Sequence, residues 1–173
     1  MIPGCLLALP LTMSGGLRFE TPQDSAPPLL GIQLDTRLFV MPDAYAGIEV
    51  GYGGGIDDRN PEKVRAAGKF ETALSLGWRP LLDKTWFCEG GARIGLYRVD
   101  GWPRGSLPSL HVYGPLIGVE VGGGALFAHP WGHPFGVEIR AGYDRLRIDG
   151  VWIGSPVVGL YATGQLLPEP PAK

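Results

Sequence analysis

The amino-acid sequence predicts an all-β protein, an antiparallel up-and-down barrel of eight strands. Apolar residues alternate with Gly or polar residues in eight segments of the chain, and short turns alternate with longer loops between them. Gly (28 of 173 residues) and Pro (17) are too abundant for a helical chain, whereas 45% hydrophobic and 18% charged residues are too apolar for disorder. We expect a single barrel domain over residues 1–167 and a Pro-rich tail at 168–173.

The first four predicted strands each have an apolar face and a polar face, because the two kinds of residue alternate with a period of two. Leu, Ile, Val, Met and aromatic residues recur on one face, and Gly recurs among the charged residues of the other. These strands are residues 9–20, 30–40, 45–53 and 69–79. Their polar faces carry, in that order, Arg18, then Asp35 and Arg37, then Glu49, then Glu71.

The last four predicted strands follow the same rule, with Gly on the polar face of every strand. They are residues 86–97, 113–127, 135–144 and 158–163. Their polar faces carry, in that order, Glu89 and Arg93, then Glu120, then Glu138 and Arg140, then Thr163. The pattern is therefore continuous along the chain, as a closed barrel requires.

The connections between these strands alternate in length. Short or Pro-rich turns are expected at residues 41–44, 80–85 and 128–134. Longer and more polar loops are expected at residues 21–28, 54–68, 98–110 and 148–156. One end of the barrel should therefore carry short turns and the other end longer loops.

The composition of the polar face predicts that it lies inside the barrel. A soluble barrel places apolar residues inside, whereas a membrane barrel places them outside. Gly mixed with Glu and Arg suits a crowded interior, since a solvated outer face is normally poor in Gly. The expected luminal charge network is Arg37, Glu49, Glu71, Glu89, Arg93, Glu120, Glu138 and Arg140. Within it, we expect Arg93 to lie between Glu71 and Glu120 in one layer.

Aromatic residues are expected to form two belts at the edges of an apolar band. At the short-turn end these are Tyr45, Trp78, Trp86, Phe127, Trp131 and Phe135. At the long-loop end they are Phe19, Tyr52, Phe70, Tyr97, Tyr113 and Tyr143. Eight residue steps separate Trp78 from Phe70. At ~3.4 Å per step and a tilt of ~40° they span roughly 20 Å, close to the ~25 Å apolar band of a membrane barrel.

Composition also excludes several classes of protein. The net charge is −2, with no long basic run, so nucleic acid is not an expected partner. Cys5 and Cys88 lie far apart without a second pair, which supports neither a zinc site nor a redox motif. The first basic residue is Arg18, so we expect no intact signal peptide at the start of this sequence.

With these features the chain resembles the small eight-stranded outer-membrane β-barrels of Gram-negative bacteria, over residues 7–166. The resemblance is architectural, and two features depart from it: the chain lacks the terminal aromatic residue of that family, and Pro10 and Pro115 fall in predicted strands, where they suggest bulges or strand ends. It implies an outer-membrane location and a non-enzymatic structural or adhesion role, or a barrel subunit of a larger envelope complex. Outer-membrane lipid is the implied partner, with envelope proteins bound through the loops or the barrel wall, and no cofactor is implied.

Two alternative functions are also compatible with the sequence. One is a lipid-modifying hydrolase, since His111 and Ser109 share a face at the long-loop end and Ser106 is near in sequence. The pattern associated with lipid A deacylases is absent, and a polar strand end accounts for these residues equally well. The other is a soluble, lipocalin-like binding barrel.

Two further motifs are more typical of turns and strands than of binding sites. His129 and His133 have the spacing of helical zinc ligands, but the prolines beside them forbid a helix. The Gly triplets at 53–55 and 122–124 lack the Lys and Ser/Thr of a phosphate-binding loop. No metal site and no catalytic residue are therefore expected.

Overall fold

In the computed structural model, eight antiparallel strands form a closed barrel, as the sequence predicted. The structure describes residues 10–23, 27–56, 64–83, 85–103, 110–127 and 134–165. The strands are β1 (Leu11–Glu20), β2 (Leu29–Phe39), β3 (Ala44–Ile56), β4 (Val64–Trp78), β5 (Trp86–Pro103), β6 (Leu110–Phe127), β7 (Phe135–Ile148) and β8 (Val151–Gln165). The part of the chain that the structure describes contains no helix long and apolar enough to cross a membrane.

Each strand pairs with the next along the chain, and β1 pairs with β8 to close the barrel. Short connections join β2 to β3 and β4 to β5, at what we call the turn end. The opposite end, where β3 meets β4 and β5 meets β6, is called the hairpin end. At this end β3 to β6 extend into the regions predicted as loops at 54–68 and 98–110.

The connection between β7 and β8 was wrongly predicted as a longer loop over residues 148–156. The strands continue to a two-residue turn at Asp149 (φ 48°) and Gly150 (φ 85°). Both residues are in the left-handed region, which the tightest hairpin turns require and which Asp and Gly tolerate well. The barrel wall is therefore extended here by paired strand.

Pro115 does not break its strand. It pairs with Leu96 on β5, and the pairing of β6 with β7 ends one residue further on, at Leu116 and Leu146. Proline is tolerated at such a position because one side of the strand is no longer part of a ladder.

The barrel has apolar side chains on its outer wall and charged side chains in its lumen. Leu74 and Ile139 on the outer wall are 61% and 60% exposed, whereas Arg37 and Glu138 in the lumen are 0% and 1% exposed. A lipocalin-like binder has the reverse arrangement. The structure therefore contradicts the soluble ligand-binding alternative.

Two tyrosines predicted for the aromatic belts lie inside the barrel instead. Tyr45 and Tyr97 are 2% and 3% exposed, because each has the residue parity of the lumen-facing positions of its strand. Gly77 and Gly91 leave the space that the Tyr45 ring occupies. Trp131 lies outside the described residues. The belt residues found on the outer wall are Phe19, Tyr52, Phe70, Trp78, Trp86, Tyr113, Phe127, Phe135 and Tyr143.

Candidate functional site: the charged lumen and the outer wall

The lumen of the barrel is filled by charged side chains. The described bases that point inward are Arg18, Arg37, Lys69, Arg79, Arg93 and Arg140. The described carboxylates that point inward are Glu20, Asp35, Glu49, Glu71, Glu89, Glu120, Glu138 and Asp144. An eight-stranded barrel has an interior just wide enough for side chains, and buried charges of this kind need partners.

A first group, the hairpin-end cluster, consists of Arg18, Lys69 and Arg93 with Glu20, Glu49, Glu71 and Asp144. Arg93 Nη1 lies 3.0 Å from Glu49 Oε2 and 3.1 Å from Glu71 Oε1. Lys69 Nζ lies 2.8 Å from Glu71 Oε2, and Arg18 also pairs with Glu71. Glu71 is thus held by three bases from three different strands.

A second group, the turn-end cluster, consists of Arg37, Arg79 and Arg140 with Asp35, Glu89, Glu120 and Glu138. Glu89 accepts a hydrogen bond from Arg37 Nη1 at 2.6 Å and lies 3.0 Å from Arg140 Nε. Arg140 also pairs with Asp35 and Glu138. This cluster ties β2, β5 and β7 together through the middle of the barrel.

Neutral polar residues join the two clusters. Gln33 accepts a hydrogen bond from Arg18 Nη1 at 3.0 Å and donates one to Glu49 Oε2 at 2.9 Å. The hydroxyl of Tyr161 donates to the same Gln33 oxygen at 3.0 Å, and the Tyr161 ring centroid lies 4.1 Å from Arg140 Cζ. The luminal network is therefore continuous from one cluster to the other.

Aromatic and aliphatic side chains also lie in the lumen near both ends of the barrel. At the hairpin end, buried Tyr97, Leu116 and Leu146 pack together. At the turn end, Arg79 Cζ lies 3.7 Å from the centroid of the buried Phe87 ring. Large aromatic and aliphatic side chains therefore pack against the charged network near both ends of the barrel.

The layer predicted around Arg93 differs from the one in the structure. Arg93 contacts Glu71 as expected, but its further partners are Glu49 and Asp144. Glu120 instead faces Arg37 at 3.5 Å. The predicted layer assumes that residues at equal distances from their strand ends lie at equal depth. Tilted strands are staggered, however, so Arg93 pairs with Gly118, and Glu120 lies two residues closer to the turn end.

The structure places all eight residues of the predicted luminal network inside the barrel and divides them between the two clusters. Arg18, Glu20, Lys69, Arg79 and Asp144 were not included in that network. Arg18, Glu20, Lys69 and Asp144 occupy inward positions of their strands, and Arg79 continues the parity of β4 one residue beyond its end, so parity was a sufficient signal for all of them.

Three carboxylates of the hairpin-end cluster, Glu20, Glu71 and Asp144, place oxygen atoms within 4.8 Å of one another. Such a group resembles a cation site, but its charge is already matched. Lys69 Nζ lies 2.7 Å from Glu20 Oε2, and Arg18 pairs with both Glu71 and Asp144. The cluster therefore offers a set of ion pairs rather than an open set of metal ligands.

A separate polar group lies on the outer wall at the hairpin end. His111 Nδ1 is 2.6 Å from Asp100 Oδ1, and Arg98 Nε donates to the same oxygen at 2.9 Å. Hydrogen bonds from His111 and Arg98 lower the pKa of the Asp100 carboxyl. Arg98 Cζ also lies 5.5 Å from the centroid of the Tyr113 ring. A carboxylate that orients a histidine is one half of a general-base arrangement.

The remaining candidate residues from the sequence do not form a site in the part of the chain that the structure describes. Ser106, Ser109, His129 and His133 lie outside the described residues, as does Cys5. Cys88 is a free cysteine, partly buried. The triplets at 53–55 and 122–124 lie within β3 and β6, so neither leads into a helix that could bind a phosphate.

No family model and no curated protein matches the chain. Solved structures do match it over nearly their whole length. Neisserial surface protein A (NspA) superposes with a TM-score of 0.58 at 14% identity, covering 90% of this chain and 95% of the other. Ail, the attachment invasion locus protein of Yersinia pestis, gives 0.55 at 14% identity, covering 90% and 98%. The N-terminal β-barrel domain of Pseudomonas aeruginosa OprF gives 0.55 at 12% identity, covering 88% and 96%. The chain therefore has the fold of small eight-stranded outer-membrane β-barrels.

Proposed function

We propose that this protein is a non-enzymatic β-barrel of the bacterial outer membrane, with a lumen closed by its own side chains. It serves as a structural or adhesion component, or as the barrel subunit of a larger envelope complex. Loops and the barrel wall supply the contacts with partners. Two of the solved structures that share this fold are a surface protein and an attachment protein, which supports a role at the cell surface.

One observation carries the membrane location. The outer wall carries a predominantly apolar band, with Val50, Leu74 and Ile139 at 41%, 61% and 60% exposure, and it is edged by aromatic residues. In water such a band would be a large exposed apolar patch, which monomeric soluble proteins rarely have. In a bilayer the same band meets hydrocarbon, and the closed ladder leaves no unpaired strand edge.

The luminal network supports a closed channel rather than a pore. Arg93, Glu71 and Asp144 belong to different strands but meet in the middle of the barrel. An ion passing through would have to separate such pairs, and a buried charge that loses its partner is costly. We therefore expect the barrel to conduct no ions in its resting state.

Reconstitution tests both parts of the proposal. The full chain, refolded from denaturant with phosphatidylcholine vesicles, should float with the vesicles in a density gradient and resist extraction by high salt. In planar bilayers it should leave the baseline conductance unchanged. A protein that remains monomeric in buffer without lipid or detergent would contradict the membrane location, and single-channel steps would contradict the closed lumen.

A second candidate function is favoured by the contact between His111 and Asp100. The pair lies on the outer wall at the hairpin end, beyond the belt residue Tyr113, where lipid headgroups would lie in the proposed orientation. Ser109 precedes His111 by two residues in the sequence, and serine hydrolases use a serine together with an oriented histidine. This candidate would replace the non-enzymatic role and keep the membrane location.

Acyl release distinguishes the two candidates. The refolded protein is incubated with lipopolysaccharide carrying labelled acyl chains, beside the variants His111→Ala, Asp100→Asn and Ser109→Ala. The non-enzymatic proposal expects no release above that of empty vesicles. Release that is lost in His111→Ala and Ser109→Ala, and reduced in Asp100→Asn, would establish the hydrolase instead.

A further inference from the structure

Charged side chains on the outer wall are confined to one side of the barrel. On the described outward faces of β1 to β4 and of β8 there is no Asp, Glu, Lys or Arg. The outward acidic, basic and histidine side chains described on β5, β6 and β7 are Arg98, Asp100, His111, Arg145 and Arg147. Among the described outward faces, the apolar band is therefore followed by a basic surface on three neighbouring strands.

Two arginines of this surface lie close together just beyond an aromatic belt, and a third lies two strands away. Arg145 and Arg147 share the outward face of β7, two and four residues beyond Tyr143. Arg98 lies two strands away on β5, beside Tyr113 of β6. Two strand spacings amount to roughly 10 Å, and the register places Arg98 a further two residues toward the hairpin end than Arg147, so the Cα atoms of these two residues are about 12 Å apart.

Described residues match the charges of this surface only in part. Asp100 accepts from Arg98 Nε and from His111, and Asp149 lies in the turn that follows β7. Arg145 and Arg147 are both exposed, as is half of the Arg98 side chain (47%). Guanidinium groups present several donors in a rigid fork that fits two oxygens of a phosphate.

We propose that the outward face of β5 to β7, with Arg145 and Arg147 at its centre, binds the phosphate group of an anionic membrane lipid, whose charge is not offset by a cationic headgroup. This inference rests on the proposed membrane location. Aromatic belts mark the interface between hydrocarbon and headgroups, so side chains immediately beyond Tyr143 meet the phosphate layer. Because the other described strands carry no outward charge, the site holds lipid on one side of the barrel.

Spin-labelled lipids test the proposal on the intact protein. The full chain is reconstituted in phosphatidylcholine vesicles with a trace of spin-labelled phosphatidylglycerol or phosphatidylcholine, and electron paramagnetic resonance measures the motionally restricted fraction. Attraction of one arginine to an anionic headgroup corresponds to roughly a fivefold preference. We expect a preference of at least that size for phosphatidylglycerol, lost in Arg145→Gln/Arg147→Gln and retained in part in the charge-matched control Arg145→Lys/Arg147→Lys, which keeps the charges but not the forked donors.

The possible results separate this inference from the proposed function. A protein that restricts neither lipid has not entered the bilayer, which contradicts the membrane location. A protein that restricts both lipids equally, or whose preference survives Arg145→Gln/Arg147→Gln, is a membrane barrel without this site. A preference abolished by millimolar inorganic phosphate, but not by sodium chloride of equal ionic strength, would assign the site to free phosphate and overturn the lipid assignment.

Discussion

Arg93 on β5 and Asp144 on β7 form a luminal ion pair across the intervening strand β6, with Arg93 Nε 3.0 Å from Asp144 Oδ1. The register places Gly118 between them, paired with Arg93 on one side and with Asp144 on the other. A β-carbon on Gly118 would collide with Asp144 Oδ1 and lie 3.1 Å from Arg93 Nε. Glycine at this position is what allows side chains from strands two apart to meet.

Enlarging Gly118 should therefore destabilise the barrel. Gly118→Ala forces a methyl group into a buried ion pair, and overpacking of this kind typically costs about 1–3 kcal/mol. Urea unfolding in lipid vesicles measures the change. Gly164→Ala is the matched control, because a β-carbon there has no atom within 4 Å. Equal stability of the two variants would mean that Gly118 does not provide this space.

Removing Arg93 should destabilise the barrel more strongly than enlarging Gly118, and removing its carboxylate partners as well should restore much of the stability. Arg93→Met leaves Glu71, Glu49 and Asp144 without one of their partners, and losing one member of a buried pair costs ~3–5 kcal/mol. Adding Glu71→Gln and Asp144→Asn removes two of the stranded charges. The triple variant should recover much of the loss in urea unfolding, since contacting residues are not additive. Additive losses would show that these residues do not interact.

The luminal carboxylates should differ in their importance. Glu71 has three basic partners, whereas the nearest base to Glu120 is Arg37, at 3.5 Å. The described lumen also has more carboxylates than bases. Glu71→Gln should cost ~3–5 kcal/mol of unfolding free energy, and Glu120→Gln should cost less than about 1 kcal/mol. The reverse order would contradict the assignment of partners in the two clusters.

The turn between β4 and β5 should make stability depend on pH. Asp83 Oδ1 accepts hydrogen bonds from the backbone N–H of Trp86 at 2.7 Å and of Thr85 at 2.6 Å, and these bonds lower the pKa of Asp83 below its ordinary value of 3.8. Because the folded pKa is depressed, the contribution of Asp83 is complete above pH 3.8 and is lost as the pH falls below it.

The difference in stability between wild type and Asp83→Ala should therefore be constant near neutral pH and shrink in acid. Urea unfolding at a series of pH values measures it. The control Asp83→Asn keeps the side-chain acceptor but does not titrate, so its difference from Asp83→Ala should not change with pH. An unchanged difference between wild type and Asp83→Ala at low pH would contradict a role for the ionised carboxylate.

Strand parity made most of the fold and the luminal residues predictable from the sequence. Successive side chains of a strand point to opposite faces, so the position of a residue in the alternation decides its face. Arg37, Glu49 and Arg140 could therefore be assigned to the lumen without coordinates. Tyr45 was misplaced because its aromatic character was given more weight than its parity, which matches that of Glu49.

Features that depend on more than one strand could not be predicted in this way. The partner of Arg93 depends on the stagger between tilted strands, which no single segment records. The extension of β7 and β8 to the turn at Asp149 was also missed, because Arg145 and Arg147 interrupt the apolar face. Outward arginines beyond the belt lie in strand all the same, and they form the surface to which lipid binding is assigned.

Arginine substitution on the outer wall tests the orientation of the barrel most directly. Val50→Arg, Leu74→Arg and Ile139→Arg place a charge in the apolar band, whereas the control Ile56→Arg places it at the hairpin end of β3, where Ile56 is 71% exposed. Unfolding free energies in phosphatidylcholine vesicles should fall by ~2–4 kcal/mol for the three band variants and by at most ~1 kcal/mol for the control. If all four variants are equally stable, the apolar face does not meet lipid and the membrane barrel is contradicted.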